Sequence, residues 1–183
     1  RHISVDPRPS GTDRAGRSVV LLIDRSASMS ARDGAAGNGA STTRLDAARA
    51  RAIAIIDGLA GADRALVASF ASDAVAETGF EADAGRLRRA VAAVARSEEP
   101  GDLPRALTFA SASLRGRPRP TVVLISDGAF TAEARHQAPG DVAVRFAFIG
   151  QSGQSGPSAG PGGNVGIISF AARRLPADPT AVE

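Results

Sequence analysis

Apolar and polar positions alternate between two rhythms along this chain. Ser18 to Asp24 reads SVVLLID, an apolar run that stops at an acid, as expected of a strand buried on both faces. Leu45 to Leu59 carries apolar residues at 45, 48, 52, 53, 56 and 59, the spacing of a helix. Thr42 or Thr43 can cap it, and Asp46 suits its first turn. Leu66 to Phe70 predicts a second strand, and Ala74 to Phe80 a weaker edge strand beside it. Asp83 to Ala95 is helical, with Leu87, Val91 and Val94 on one stripe. Pro100-Gly101 breaks the chain, and Leu103 to Leu114 predicts another helix. Thr121 to Ser126 and Val142 to Ile149 are further strands, with a short helix over Thr131 to His136 between them. Val165 to Ala171 predicts one more strand.

This alternation of strands and helices predicts an α/β fold. The expected form is a Rossmann-like three-layer sandwich, a mostly parallel sheet between helices with one antiparallel edge strand. The divisions are a lead-in over 1–17, a domain over 18–150, a flexible Gly/Ser-rich segment over 151–164, and a strand opening a following region over 165–183. The Gly/Ala stretch from Gly34 to Ala40 reads as a flexible insertion.

Composition then narrows the chemistry. The 183 residues contain no cysteine and no lysine, and their only histidines are His2 and His136. Disulfides, thiolate nucleophiles, zinc-thiolate clusters, the P-loop lysine and Schiff-base lysines are therefore excluded. A Ser-His-Asp triad and a multi-histidine metal site are disfavoured on the same count. The pI of 11.0 is not a nucleic-acid signature. Net charge is only +3, and with Lys, Tyr and Cys missing that small charge persists to high pH. The arginines cluster only modestly, at Arg86, Arg88, Arg89 and at Arg115, Arg117, Arg119. No Tyr or Trp is present to stack bases, so no nucleic-acid partner is expected. No stretch is apolar for long enough to span a membrane, and no signal-peptide pattern opens the chain. The missing initial methionine suggests a soluble piece of a larger protein whose anchors lie elsewhere.

Two predicted strands end in aspartate, at Asp24 and Asp127. In an open α/β sheet, that carboxyl edge is where ligands bind. The first acid continues as Asp24-Arg25-Ser26-Ala27-Ser28, a D-x-S-x-S pattern whose alternate residues can converge in a tight loop. Carboxylates and hydroxyls together form an oxygen-only donor set, suited to Mg²⁺ or Mn²⁺. Ser and Asp are also common turn and cap formers, so D-x-S-x-S alone is a weak signal. Its ordered combination with a later strand-Ser-Asp-Gly is stronger. Asp73 and Glu77 read as solvated loop acids, and His136 as a surface residue.

Strand-D-x-S-x-S, the turn Gly101-Asp102-Leu103 and strand-Ser126-Asp127-Gly128 together resemble the von Willebrand factor type A (VWA) domain. The resemblance covers about Ser18 to Gly150. It implies a non-enzymatic protein-binding module with a metal-ion-dependent adhesion site. The serines would bind Mg²⁺ directly, the aspartates largely through water, and a protein partner would supply a carboxylate. Carried over, the metal site is Asp24, Ser26, Ser28 and Asp127. Where the family usually has threonine this chain has Gly101, so Asp102 is the substitute candidate, with helix capping as its competing role. Without that ligand the site would hold metal weakly or not at all, leaving a scaffold that binds partners without metal. The tail from Asn164 is similar to bacterial membrane-anchored Bat-type (aerotolerance) VWA proteins, which implies membrane association of the parent protein. A Mg²⁺-dependent phosphohydrolase is the least favoured reading. It would need a second acid where Ser26 stands, and a lysine.

Overall fold

The computed structural model describes residues 16–35, 41–130, 142–150 and 169–170. Its central strand β1 (Ser18–Asp24) is buried along its whole length. Two parallel neighbours flank it, β4 (Arg64–Phe70) and β6 (Pro120–Ser126), in the registers Ser18↔Arg64 and Ser18↔Pro120. β7 (Ala143–Phe148) extends the parallel set beyond β6. The edges are antiparallel: β5 (Ala74–Ala76) on β4, and the short β8 (Ser169–Phe170) on β7. The sheet order is β5-β4-β1-β6-β7-β8. The expected antiparallel edge strand is β5, shortened to three residues, and β8 adds a second at the opposite edge.

Helices cover both faces because β1 alternates between two apolar sets. Val19, Leu21 and Ile23 pack with Leu45, Ala48, Ala52 and Ile56 of α1 (Arg44–Asp57) and with Leu87 and Val91 of α2 (Ala84–Ala93). Val20 and Leu22 face the other way, onto Leu103, Ala106, Leu107, Ala110 and Leu114 of α3 (Leu103–Leu114). A strand buried on both sides cannot alternate apolar with polar, which is why SVVLLI is continuous. The helix starts follow capping chemistry. Thr43 and Asp46 form a reciprocal capping box on α1, and Asp83 caps α2.

At the start of the Gly/Ala stretch, β2 (Gly34–Ala35) pairs antiparallel with β3 (Ser41–Thr42), which follows the stretch. The predicted helix over 131–136 lies outside the described residues, as do His2, His136, the segment 151–164, most of the lead-in, and the last predicted strand apart from Ser169–Phe170. No helix among the described residues is long and apolar enough to cross a membrane.

From β1 the chain first moves to β4 and β5, then returns across β1 to β6. The strand order therefore reverses between β1 and β6. At such a switch point, beyond the carboxyl ends of the strands, open α/β sheets bind their ligands.

Candidate site at the carboxyl edge of the sheet

Register brings the two sequence-predicted acids together. Ile23 lies opposite Ile125, so Asp24 and Ser126 are neighbours, with Asp127 one residue beyond. Asp24 is fully buried, and both of its oxygens are engaged by neutral donors. The Ser26 N–H donates to Oδ1 at 2.9 Å, closing an Asx-type turn, and the Ser126 hydroxyl donates to Oδ2 at 2.6 Å. Ser126 Oγ in turn accepts from the Gly128 N–H at 3.0 Å. Burial pushes the Asp24 pKa up, the bonds from Ser126 and Ser26 oppose that rise, and the charge of Asp127 adds to it.

A 3-10 turn over Ala27–Ser30 follows, with Ser26 at its N-cap. The Ser26 side chain makes no capping bond there. Its hydroxyl instead lies 3.4 Å from that of Ser28. Met29, with no exposed surface, roots the turn in the core. Backbone bonds fix the surrounding loops to one another: Arg25 N–H to Phe70 O at 2.9 Å, Ala27 N–H to Glu99 O at 3.0 Å, and Asp102 N–H to Ala71 O at 2.8 Å. The loop carrying the serine pair is thus held by two others, one after β4 and one ahead of α3.

Gly101 borders this pair. A Cβ built there would lie 3.5 Å from Ser26 Oγ and 3.2 Å from the Phe130 ring. A side chain at 101 would enter the space beside the serine hydroxyl, and glycine supplies none. Asp102 is the N-cap of α3, its carboxylate accepting from the Arg105 N–H at 3.0 Å. Asp73 is ion-paired with Arg105 at 2.7 Å, and exposed Glu77 accepts from the buried Ser69 hydroxyl at 2.6 Å.

Asp127 also has both oxygens engaged, but by a different kind of donor. Oδ1 accepts from the Ala129 N–H at 3.0 Å, and Oδ2 from a terminal nitrogen of Arg44 at 2.8 Å. Arg44 also grips Asp33 through Nε at 2.7 Å and its other terminal nitrogen at 2.5 Å. The Asp127 side chain is 3% exposed, and that of Arg44 25%. Hydrogen bonding to Asp33 and then to Asp127 raises the Arg44 pKa, and Arg44 holds Asp33 below the usual carboxylate range. Gly150 lies against the guanidinium, where an added Cβ would come within 3.3 Å of Nε.

The structure thus brings Asp24, Ser26, Ser28 and Asp127 to one corner. Sequence reasoning missed Ser126 as a partner of Asp24, although it stands in the quoted Ser-Asp-Gly motif. It also missed Arg44 and Asp33. A cation at the first position of a helix, where the helix dipole disfavours it, was the available signal for Arg44.

Comparison with known proteins agrees with this architecture. BatB from Bacteroides thetaiotaomicron superposes with a TM-score of 0.59 at 18% identity, over 86% of this chain and 82% of that one. An aerotolerance-related membrane protein from Bacteroides fragilis gives 0.60 at 17% identity, with the same coverages of 86% and 82%. A membrane-spanning protein from Vibrio fischeri gives 0.51 at 28% identity, over 63% of this chain and 58% of that one. Among curated proteins, none matches the chain significantly. The sequence profile of the von Willebrand factor type A domain matches residues 19–129, from β1 to just past Asp127. The chain therefore belongs to the von Willebrand factor type A domain family.

Proposed function

We propose that this domain is a non-enzymatic protein-binding module. Its contact point is the β1–β6 corner, where a divalent cation, Mg²⁺ or Mn²⁺, engages an acidic group of a protein partner. The observation that carries the reading is the pair of Ser26 and Ser28 hydroxyls, 3.4 Å apart at a corner built around buried Asp24. The donor set fits a hard cation, being oxygen throughout. Ser26 and Ser28 would hold the ion directly. Asp24 would orient the loop through Ser26 N–H and supply negative charge beneath it. Asp127 would add a second carboxylate. When bound, the cation supplies the positive charge that attracts a partner's carboxylate. The likeness to BatB and to the aerotolerance-related membrane protein supports placing the protein at a bacterial membrane.

Titrating Mn²⁺ calorimetrically into the wild-type domain and Asp24→Ala tests the cation. Heat in the wild type that disappears in the variant is expected. Negligible heats in both would remove the metal and leave a scaffold that binds partners without it. Two observations favour that second reading, the absent side chain at Gly101 and the capture of Asp127 by Arg44. Phosphatase turnover abolished by Asp24→Asn would overturn both in favour of an enzyme.

A further inference from the structure

We infer that Arg44 is a resident counter-cation of the site, competing with a divalent ion for Asp127 and so setting the affinity of the corner. The inference rests on the cation reading above.

The bonds at Arg44 carry the inference. Arg44 donates one hydrogen bond to Asp127 and two to Asp33, tying the end of β6 to the loop ahead of β2. Its place at the first residue of α1 is electrostatically poor for a cation, so the two aspartates are what hold it there. Gly150 lets the β7 end lie close against the guanidinium, since any side chain there would crowd Nε. With the Ala129 N–H on its other oxygen, Asp127 has no oxygen without a partner.

An ion drawing on Asp127, whose side chain is 3% exposed, would sit near a fixed guanidinium of like charge that water only partly screens. Either the ion binds against that repulsion, or Arg44 must release Oδ2 and remain on Asp33 alone. Both routes weaken binding by an amount that belongs to Arg44. A neutral residue at 44 should therefore tighten the site. A merely structural Arg44 gives the opposite sign, because loosening Asp127 would weaken binding.

The test is Mn²⁺ affinity of the wild type, Arg44→Gln and Arg44→Lys. Arg44→Gln is expected to bind at least tenfold tighter than wild type, and Arg44→Lys, which keeps the charge without the fork, to fall between them. Equal or weaker binding in folded Arg44→Gln would overturn the competition while leaving the metal reading intact. Absence of binding in all three proteins would overturn both. A readout that needs no variant is the Arg44 Nε–H resonance of the wild type under Mg²⁺ titration. It should shift as Mg²⁺ saturates the site, and a resonance that stays still while the amides of Ser26 and Ser28 move would also overturn the competition.

Discussion

Two arginine–aspartate pairs sit at opposite ends of the sheet, about 23 Å apart along seven-residue strands. At the amino edge, Arg17 clamps Asp63 with its backbone N–H, Nε and a terminal nitrogen, at 2.7, 3.1 and 2.7 Å. The Ala60 N–H adds a fourth bond at 3.0 Å. At the carboxyl edge, Arg44 divides its donors between two aspartates, one of them next in the chain to Ser126, the partner of Asp24. The first arrangement is closed: four donors converge on one carboxylate and join the start of β1 to that of β4. The second is divided, and its Asp127 is the acid that a bound cation would also use. The same residue types thus fasten the fold at one edge and, on the proposed reading, would set the charge of a cation site at the other.

Removing the closed pair should have the largest effect on stability. Asp63→Ala leaves the Ala60 N–H and the Arg17 head without their acceptor. It should cost about 3 kcal/mol in urea unfolding, with Mn²⁺ affinity unchanged. Acid should reach the same pair next. Hydrogen bonding to Arg17 lowers the Asp63 pKa from the ordinary 3.8 to about 2. Because the folded value is the lower one, its stabilisation is complete above about pH 4 and is lost as the pH falls through about 2. Its size is of order 2 kcal/mol, read from urea midpoints across that window, and Asp63→Asn should flatten the slope.

At the other edge the expected changes fall on binding more than on stability. Gly101→Thr restores a hydroxyl beside Ser26. It should raise Mn²⁺ affinity several-fold, with a stability change of about 1 kcal/mol or less as Phe130 shifts to admit the Cβ. Unchanged affinity would mean that position 101 does not face the cation. The smallest effect belongs to the exposed Arg88–Asp57 pair, 47% and 49% exposed. Arg88→Ala should alter unfolding by about 0.5 kcal/mol or less. A larger change there would undo the contrast between buried and exposed pairs.

The sequence was most legible where one force dominated. β1 and α3 run over the residues their patterns predict, Ser18–Asp24 and Leu103–Leu114, because a doubly buried strand and an amphipathic helix leave unambiguous apolar spacing. The edge strand β5 was overrun, predicted to Phe80 but ending at Ala76, because half-exposed edge positions carry little pattern. Asp24, Ser26, Ser28 and Asp127 could be grouped because two sit at strand ends and two in one short motif. Arg44 could not, because it meets Asp127 across 83 positions and no periodicity reports such a pairing. Both candidate roles of Asp102, ligand and helix cap, were legible in sequence, and the structure shows the cap of α3.

Locating the cation on the domain is the decisive experiment. Substoichiometric Mn²⁺ added to ¹⁵N-labelled domain broadens amides according to their distance from the ion. Strongest broadening is expected at Ser26, Ala27 and Ser28, then at Gly101 and Asp127, with residues at the amino edge such as Asp63 unaffected. Broadening centred on exposed acids such as Asp57 or Asp73, or none at all, would contradict a cation at the serine pair.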